Sequence, residues 1–457
     1  MATAAEMRPA LSEPVNSSAM RPSTVSPEFD LLIACCANSS RPDRIREILS
    51  DPLDWERLLR LVDHHRVVPQ VYGALSALPH LVPAQRLGAL RLRYQDNARK
   101  ALWFTAELLR ILNHLESAGI QTLPFKGPVL AQTLYGAVAE REFNDLDLLI
   151  RPADVPKAKA ALLALGHSHG PDLRPQEEAD YISSGCGYVF HTPAGRDLID
   201  LQWRIAPRFY SIDFDVADFF DRADEIELEG VTTQCRTKKW NEASRDWNEC
   251  SWNSREAAAD RSPRRKPWVE SETLPSPSGA KDTSQTSLNR QRTLCDEDLL
   301  LVLCVHAAKH VWIQLSWLCD IAQLAKSQQL DWNAIHNEAR RLGIERIVTL
   351  NLLLAHKLLG AAIQPQIQKR LQDDPSTTIL ADEIQRIIER STHYDTESIP
   401  YFRLMMQLRE RWQDRARFLW RLTVTPSVSE WSAVQLPKLL HPLYRVVRVS
   451  RLAKRLA

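Results

Sequence analysis

The sequence has almost no excess charge of either sign: 58 basic against 57 acidic side chains leave a formal net charge of +1 over 457 residues. Such a balance excludes a global field that would draw the chain onto long nucleic acid or an anionic membrane, so any basic site is local. It also has no C-x-x-C pair, its eight cysteines lying scattered at positions 35, 36, 186, 235, 250, 295, 304 and 319. That spacing gives no disulfide framework and leads us to expect reduced thiols and a cytoplasmic protein. Also missing are a basic and then apolar leader within the opening "MATAAEMRPALSEPVNSSAM" and any run of eighteen uncharged apolar residues. Neither export nor a membrane span is therefore expected.

What is present is 44% hydrophobic residues, enough to bury at least one sizeable core. Residues 1–27 are rich in Pro, Ser and Ala without apolar periodicity and read as a disordered leader. From 28 to 119 the apolar residues recur at threes and fours, as in a helical segment, ending at Gly119. The period changes over 120–236. "QTLPFK" reads as a strand ending at Gly127, "PVLAQTLYG" as a helix closing on Gly136, and "DLDLLI" as an alternating strand. "PADVPKAKAALLALGH" is then a helix, and "GYVFHT" and "RDLIDLQW" are two more strands. Residues 237–292 hold almost no aliphatic side chains and read as a disordered insertion. From 293 to 457 the helical period returns, with breaks expected near Trp312 and at Leu342-Gly343. The chain is thus expected to be α+β: a small mixed-sheet core flanked by N-terminal and C-terminal helical segments. The last stretch carries Arg445, Arg448, Arg451, Lys454 and Arg455 at threes and fours, a stripe that a solvated helix face or an anionic-surface binder would share.

Alternate residues of a strand share a face, so Asp145 and Asp147 would project together, away from Leu146 and Leu148. Paired carboxylates repel unless a cation lies between them, and Mg²⁺ takes carboxylates together with waters and substrate phosphates. Asp200, on another strand, is a candidate third carboxylate, as in-line attack on phosphorus requires in two-metal sites. Lys126-Gly127 before a helix with Pro128 in its first turn places a cation, a bare backbone and a helix N-terminus at one point, an arrangement suited to phosphate. Each motif alone is equally well a solvated strand end; their order along the chain points to a site. Arg141, four residues before Asp145, is a candidate phosphate contact or a surface arginine. His306, Lys309 and His310 share one side of a helix. With no HExxH pattern and no third soft ligand a zinc site is rejected, leaving phosphate or acceptor contact by Lys309 and His310, or a packed helix with satisfied histidines.

The stretch "KGPVLAQTLYGAVAEREFNDLDLLIRPADVPKAKAALLALGH", with "IDLQWRI" after it, resembles a bacterial nucleotidyltransferase family of the polymerase-beta-like superfamily. Its pattern is Lys-Gly, a Tyr, an Arg, Asp-x-Asp and a downstream Asp-Leu-His-Trp. "DWERLLRLVDHHRVVPQVYGAL" resembles its helical front, and "DEDLLLVLCVHAAKHVWIQLSWLCDIAQL" its His-x-x-Lys-His helix. The resemblance implies that Asp145, Asp147 and Asp200 are metal ligands for Mg²⁺ or Mn²⁺, with Asp200 activating the attacking group. It makes Lys126 and Gly127 the nucleotide-phosphate loop. The implied reaction moves a nucleoside monophosphate from an NTP, ATP in the first instance, to a hydroxyl of a small molecule or protein and releases pyrophosphate. Lys126-Gly127-Pro128 stands where the superfamily has Gly-Ser, and Gln202 where the family often has His. The alternative is a catalytically inactive nucleotide-binding or regulatory protein that keeps the fold.

Overall fold

A computed structural model of the protein describes residues 26–37, 42–170, 174–192, 197–228, 290–391, 398–425, 444–448 and 450. Four helices open the described chain: α1 (Pro27–Cys36), α2 (Pro42–Leu49), α3 (Trp55–His65) and α4 (Val68–Ser76). Ser26 and Pro27, assigned from sequence to the leader, instead start α1. The Ser26 hydroxyl accepts from the Phe29 amide and Pro27 takes the first turn, where its missing N–H costs nothing. The long helix α5 (Ala84–Ser117) follows, and the chain turns at Gly119, whose φ of +68° suits a residue without a Cβ.

The sheet has five strands, β1 (Thr122–Pro124), β2 (Leu146–Ile150), β3 (Ser168–His169), β4 (Gly187–His191) and β5 (Asp197–Gln202), in the order β1-β2-β5-β4-β3. β2 and β5 are parallel, and the other neighbours are antiparallel, so the sheet is mixed. Between the strands lie α6 (Gly127–Tyr135), α7 (Val155–Ala164) and α8 (Pro175–Ser184). β3 and α8 were not anticipated, because the first is only two residues long and the second carries few apolar side chains.

Alternation along β2 divides its side chains between two cores. Leu146, Leu148 and Ile150 join Phe104, Leu108 and Leu112 of α5 and Val155, Ala158 and Leu162 of α7. Burial of such side chains contributes about 2 kcal/mol each. Leu149, on the face it shares with Asp147, packs with the helical core instead. β5 follows suit: Ile199, Leu201 and Trp203 enter the sheet core, leaving Asp200 and Gln202 toward the other face. Every residue of β2 is consequently buried, including Asp147.

After α9 (Val216–Asp221), strands β6 (Asp224–Glu227) and β7 (Arg290–Thr293) pair antiparallel. Residues 290–292, placed in the insertion from their polarity, are thus part of a strand whose partner lies about sixty-five residues earlier, a pairing that local composition cannot reveal. The remainder of the expected insertion, and of the leader, lies outside the described residues. α10 (Asp296–Lys309) and α11 (Leu315–Leu324) are separated at Val311 and Trp312, which both take positive φ. α12 (Trp332–Leu342) and α13 (Glu345–Leu359) are separated at Gly343, and α14 (Pro365–Asp373), α15 (Pro375–Arg390), α16 (Ile399–Gln407) and α17 (Trp412–Val424) follow. Of the C-terminal basic stripe, Arg451, Lys454 and Arg455 lie outside the described residues; Arg448 is buried, donating to the Leu422 carbonyl rather than facing solvent. Among the described residues no helix is long and apolar enough to cross a membrane.

Candidate functional site

The first fixed point is the turn from β1 into α6. Gly127 has φ +56°, and a Cβ there would stand 3.2 Å from the Asp145 carbonyl oxygen, so both conformation and space demand glycine. Lys126 immediately precedes that helix and is 9% exposed. Its ammonium donates to Asp147 Oδ1 at 2.7 Å and lies 3.3 Å from His306 Nδ1.

The second is the parallel register of β2 and β5, which sets Asp147 directly beside Asp200. Gln202 links them: its Nε2 donates to Asp200 Oδ2 at 2.7 Å and to Asp147 Oδ1 at 3.1 Å. Sequence reasoning gave Gln202 no role, since its significance comes from the partner strand. Asp145 lies just outside β2 and is solvent-accessible, whereas Asp147 is 4% exposed. The protein packed around the strand mouth nevertheless withdraws enough water to raise the Asp145 pKa, with the Asp147 charge as second cause and Lys126, Arg66 and Arg141 opposing. Desolvation, then the Asp147 charge, push Asp200 up to about 6 against Lys126 and Lys309.

The charges of Asp145, Asp147 and Asp200 act on one another, and carboxylates are the hard oxygen donors that a divalent cation takes. As the side chains stand, however, Lys126 and Gln202 occupy Asp147, and among the described residues no group of three or more His, Cys, Asp or Glu is gathered to hold a metal.

The helical wall of the site comes from α10 and α11. The His306 and His310 rings lie 4.6 Å apart, tilted by 54°, and both pack against Trp317. Burial, with Lys126 among the charges that follow, drives His306 well below the usual imidazole range, and burial beside Lys309 lowers His310 to about 3. The shifts favour the neutral ring in both, so His310 is a hydrogen-bonding group rather than a cation. Lys309 lies near enough to Asp200 for its charge to oppose the rise in that carboxyl. Trp317 is partly buried, packs against the helical core and belongs to this wall, while Trp312 is fully buried and donates to Asn351 Oδ1 at 2.7 Å.

Arg141, a candidate for the nucleotide phosphates, is engaged by protein. Its Nε and Nη2 reach Asp320 of α11 at 3.0 and 2.9 Å, Tyr135 Oη donates to the same carboxylate at 2.9 Å, and Asp320 is wholly buried. The two residues are 179 apart in sequence, which is why the pair was not foreseen. Arg66, at the left-handed end of α3, contributes a charge felt by Asp145 and was likewise missed.

A family model described as "Uncharacterised nucleotidyltransferase" matches residues 51–238 and 266–360, more than half of the chain. The gap between the two matched stretches falls inside the segment read as an insertion. No curated protein and no solved structure matches the chain.

Proposed function

The chain belongs to this family of uncharacterised nucleotidyltransferases, and from that premise we propose that it transfers a nucleoside monophosphate from an NTP, ATP in the first instance, to the hydroxyl of a small molecule or protein. The acceptor oxygen bonds to the α-phosphorus, the α–β bridging P–O bond breaks, and pyrophosphate leaves with that electron pair. The observation that best supports the reading is the side-by-side placement of Asp147 and Asp200 on parallel strands, beneath the Lys126-Gly127 entrance to α6.

Asp145 and Asp147 would hold Mg²⁺ or Mn²⁺, with Asp200 as the third carboxylate. When bound, the cation would neutralise phosphate charge and polarise the reacting phosphate. Lys126, held by Asp147 without a nucleotide, would exchange that carboxylate for a phosphate oxygen, and Gly127 would admit the phosphates to the helix N-terminus. Asp200 would take the acceptor proton. Lys309 and His310 would line the nucleotide side, the first as a cation and the second as a neutral hydrogen-bonding ring. Arg141 is better given a positioning role, since its guanidinium ties the loop before β2 to Asp320. The near-zero net charge is consistent with a small molecule or protein as acceptor rather than long nucleic acid.

A second reading, a nucleotide-binding regulator without turnover, is favoured by the closed Lys126–Asp147 pair. Incubation with each labelled NTP, Mg²⁺ or Mn²⁺ and a cell extract, beside an Asp145→Asn/Asp147→Asn variant, separates the two. Label transfer lost in the variant supports the transferase, nucleotide binding without transfer supports the regulator, and no nucleotide binding at all sinks both.

A further inference from the structure

A cavity of about 510 Å³ opens at the carboxyl ends of β2 and β5, where Arg151, Trp203 and Arg204 follow the strands. Most of its charged lining is already engaged. Arg151 donates to Gln121 Oε1 at 2.6 Å and lies 4.0 Å over the Phe220 ring. Asp213 is held through both oxygens by Arg421 at 2.8 Å, and Asp215 accepts from the Ala217 amide at the start of α9. Two side chains differ. Arg204, half-buried, and Arg208, exposed, have no hydrogen bond or ion pair from their guanidinium groups among the described residues. Burial and then the charge of Arg208 lower the Arg204 pKa, with the charge of Asp213 opposing.

The cavity begins one residue beyond β5, the strand that carries Asp200. Arg204 follows Asp200 by four residues, roughly 13 Å along an extended chain. Both Trp203 and Arg204 amides donate to the Cys186 carbonyl, and the Cys186 thiol is influenced by the charges of Lys309, Asp200 and Arg204 together. Cys186 thus lies within electrostatic reach of both Arg204 and Asp200.

We propose that this cavity binds the phosphate monoester of a small acceptor between Arg204 and Arg208, directing the acceptor's hydroxyl toward Asp200. A phosphate dianion matches the two guanidinium charges, which have no side-chain partner among the described residues, and accepts their planar pairs of N–H groups; a carboxylate would leave one positive charge over. The acceptor assignment rests on the transferase reading, whereas the anion site does not.

Glycerol 3-phosphate, titrated calorimetrically into the full chain at about pH 7.5, where its phosphate is largely dianionic, tests this. MgATP binding is measured in parallel. Saturable binding is expected, weakened roughly tenfold or more by Arg204→Gln and by Arg208→Gln, partly retained by Arg204→Lys, and unchanged in Asp145→Asn/Asp147→Asn. Glycerol should not bind, and saturating MgATP should leave the phosphate bound. Arg208 is exposed, so its variant tests the idea even if Arg204→Gln unfolds. Absent binding, or equal affinity in the Arg208 variant, overturns the proposal. Displacement by MgATP gives the arginines to the nucleotide and overturns the acceptor role. Probe binding without any MgATP binding refutes the transferase reading, and with it that role, while leaving the anion site.

Discussion

Lys126 Nζ lies 2.7 Å from Asp147 Oδ1, a buried pair between the turn that opens α6 and the strand beside Asp200. The lysine is thus the counter-ion of the buried Asp147. Its replacement should show this directly. Lys126→Met leaves Asp147 buried without its counter-ion and should lower unfolding free energy by about 3–5 kcal/mol in urea titrations. Added Mg²⁺ should recover part of the loss. A variant as stable as the parent would mean that the pair contributes nothing.

Arg141 and Asp320 tie the loop before β2 to α11, with side chains 8% and 0% exposed. Asp320→Leu should cost about 3–5 kcal/mol, because a buried guanidinium is left uncompensated. The Arg141→Leu/Asp320→Leu double variant should lose less than the sum of the singles by more than about 1 kcal/mol. Strict additivity in a double-mutant cycle would refute the pairing.

Gly127→Ala meets two penalties, positive φ and the Asp145 carbonyl at 3.2 Å. A destabilisation of about 1–2 kcal/mol is expected, together with weaker NTP binding. Gly136→Ala is the control: its φ is +73°, yet nothing lies within 4 Å of the added methyl. It should be destabilised without losing NTP affinity; equal affinity losses in both would remove Gly127 from the site.

His65 should make stability depend on pH. It is wholly buried, its Nδ1 accepts from the Leu315 amide, and its Nε2 lies 3.0 Å from the Ser391 hydroxyl. Burial, then His64, lower its pKa to about 3. The unfolded chain therefore takes up the proton first as pH falls. The contribution is intact above about 6.5 and is lost progressively toward 3. Between pH 6.5 and 5 the loss should be on the order of 1.5 kcal/mol. Urea midpoints measured across that window should show a shallower slope in His65→Gln; an unchanged slope would assign it to other groups.

By itself the amino-acid order determined the α+β class, the strands carrying Asp147 and Asp200, the glycine stop of α5 and the breaks near Trp312 and at Gly343. These follow from the twofold and 3.6-fold periods of apolar side chains and from local backbone preference, which depend on near neighbours. Asp145, Asp147 and Asp200 stood out as candidates because their spacing and order suit phosphate chemistry. Only the tertiary structure decided that Lys126 and Gln202 hold Asp147, that Arg141 belongs to Asp320, that 290–293 completes a strand pair, and that Arg204 and Arg208 face one cavity. Each of these joins elements through strand register or helix packing. Such contacts are set by which buried faces fit together, and one chain read in order does not show them.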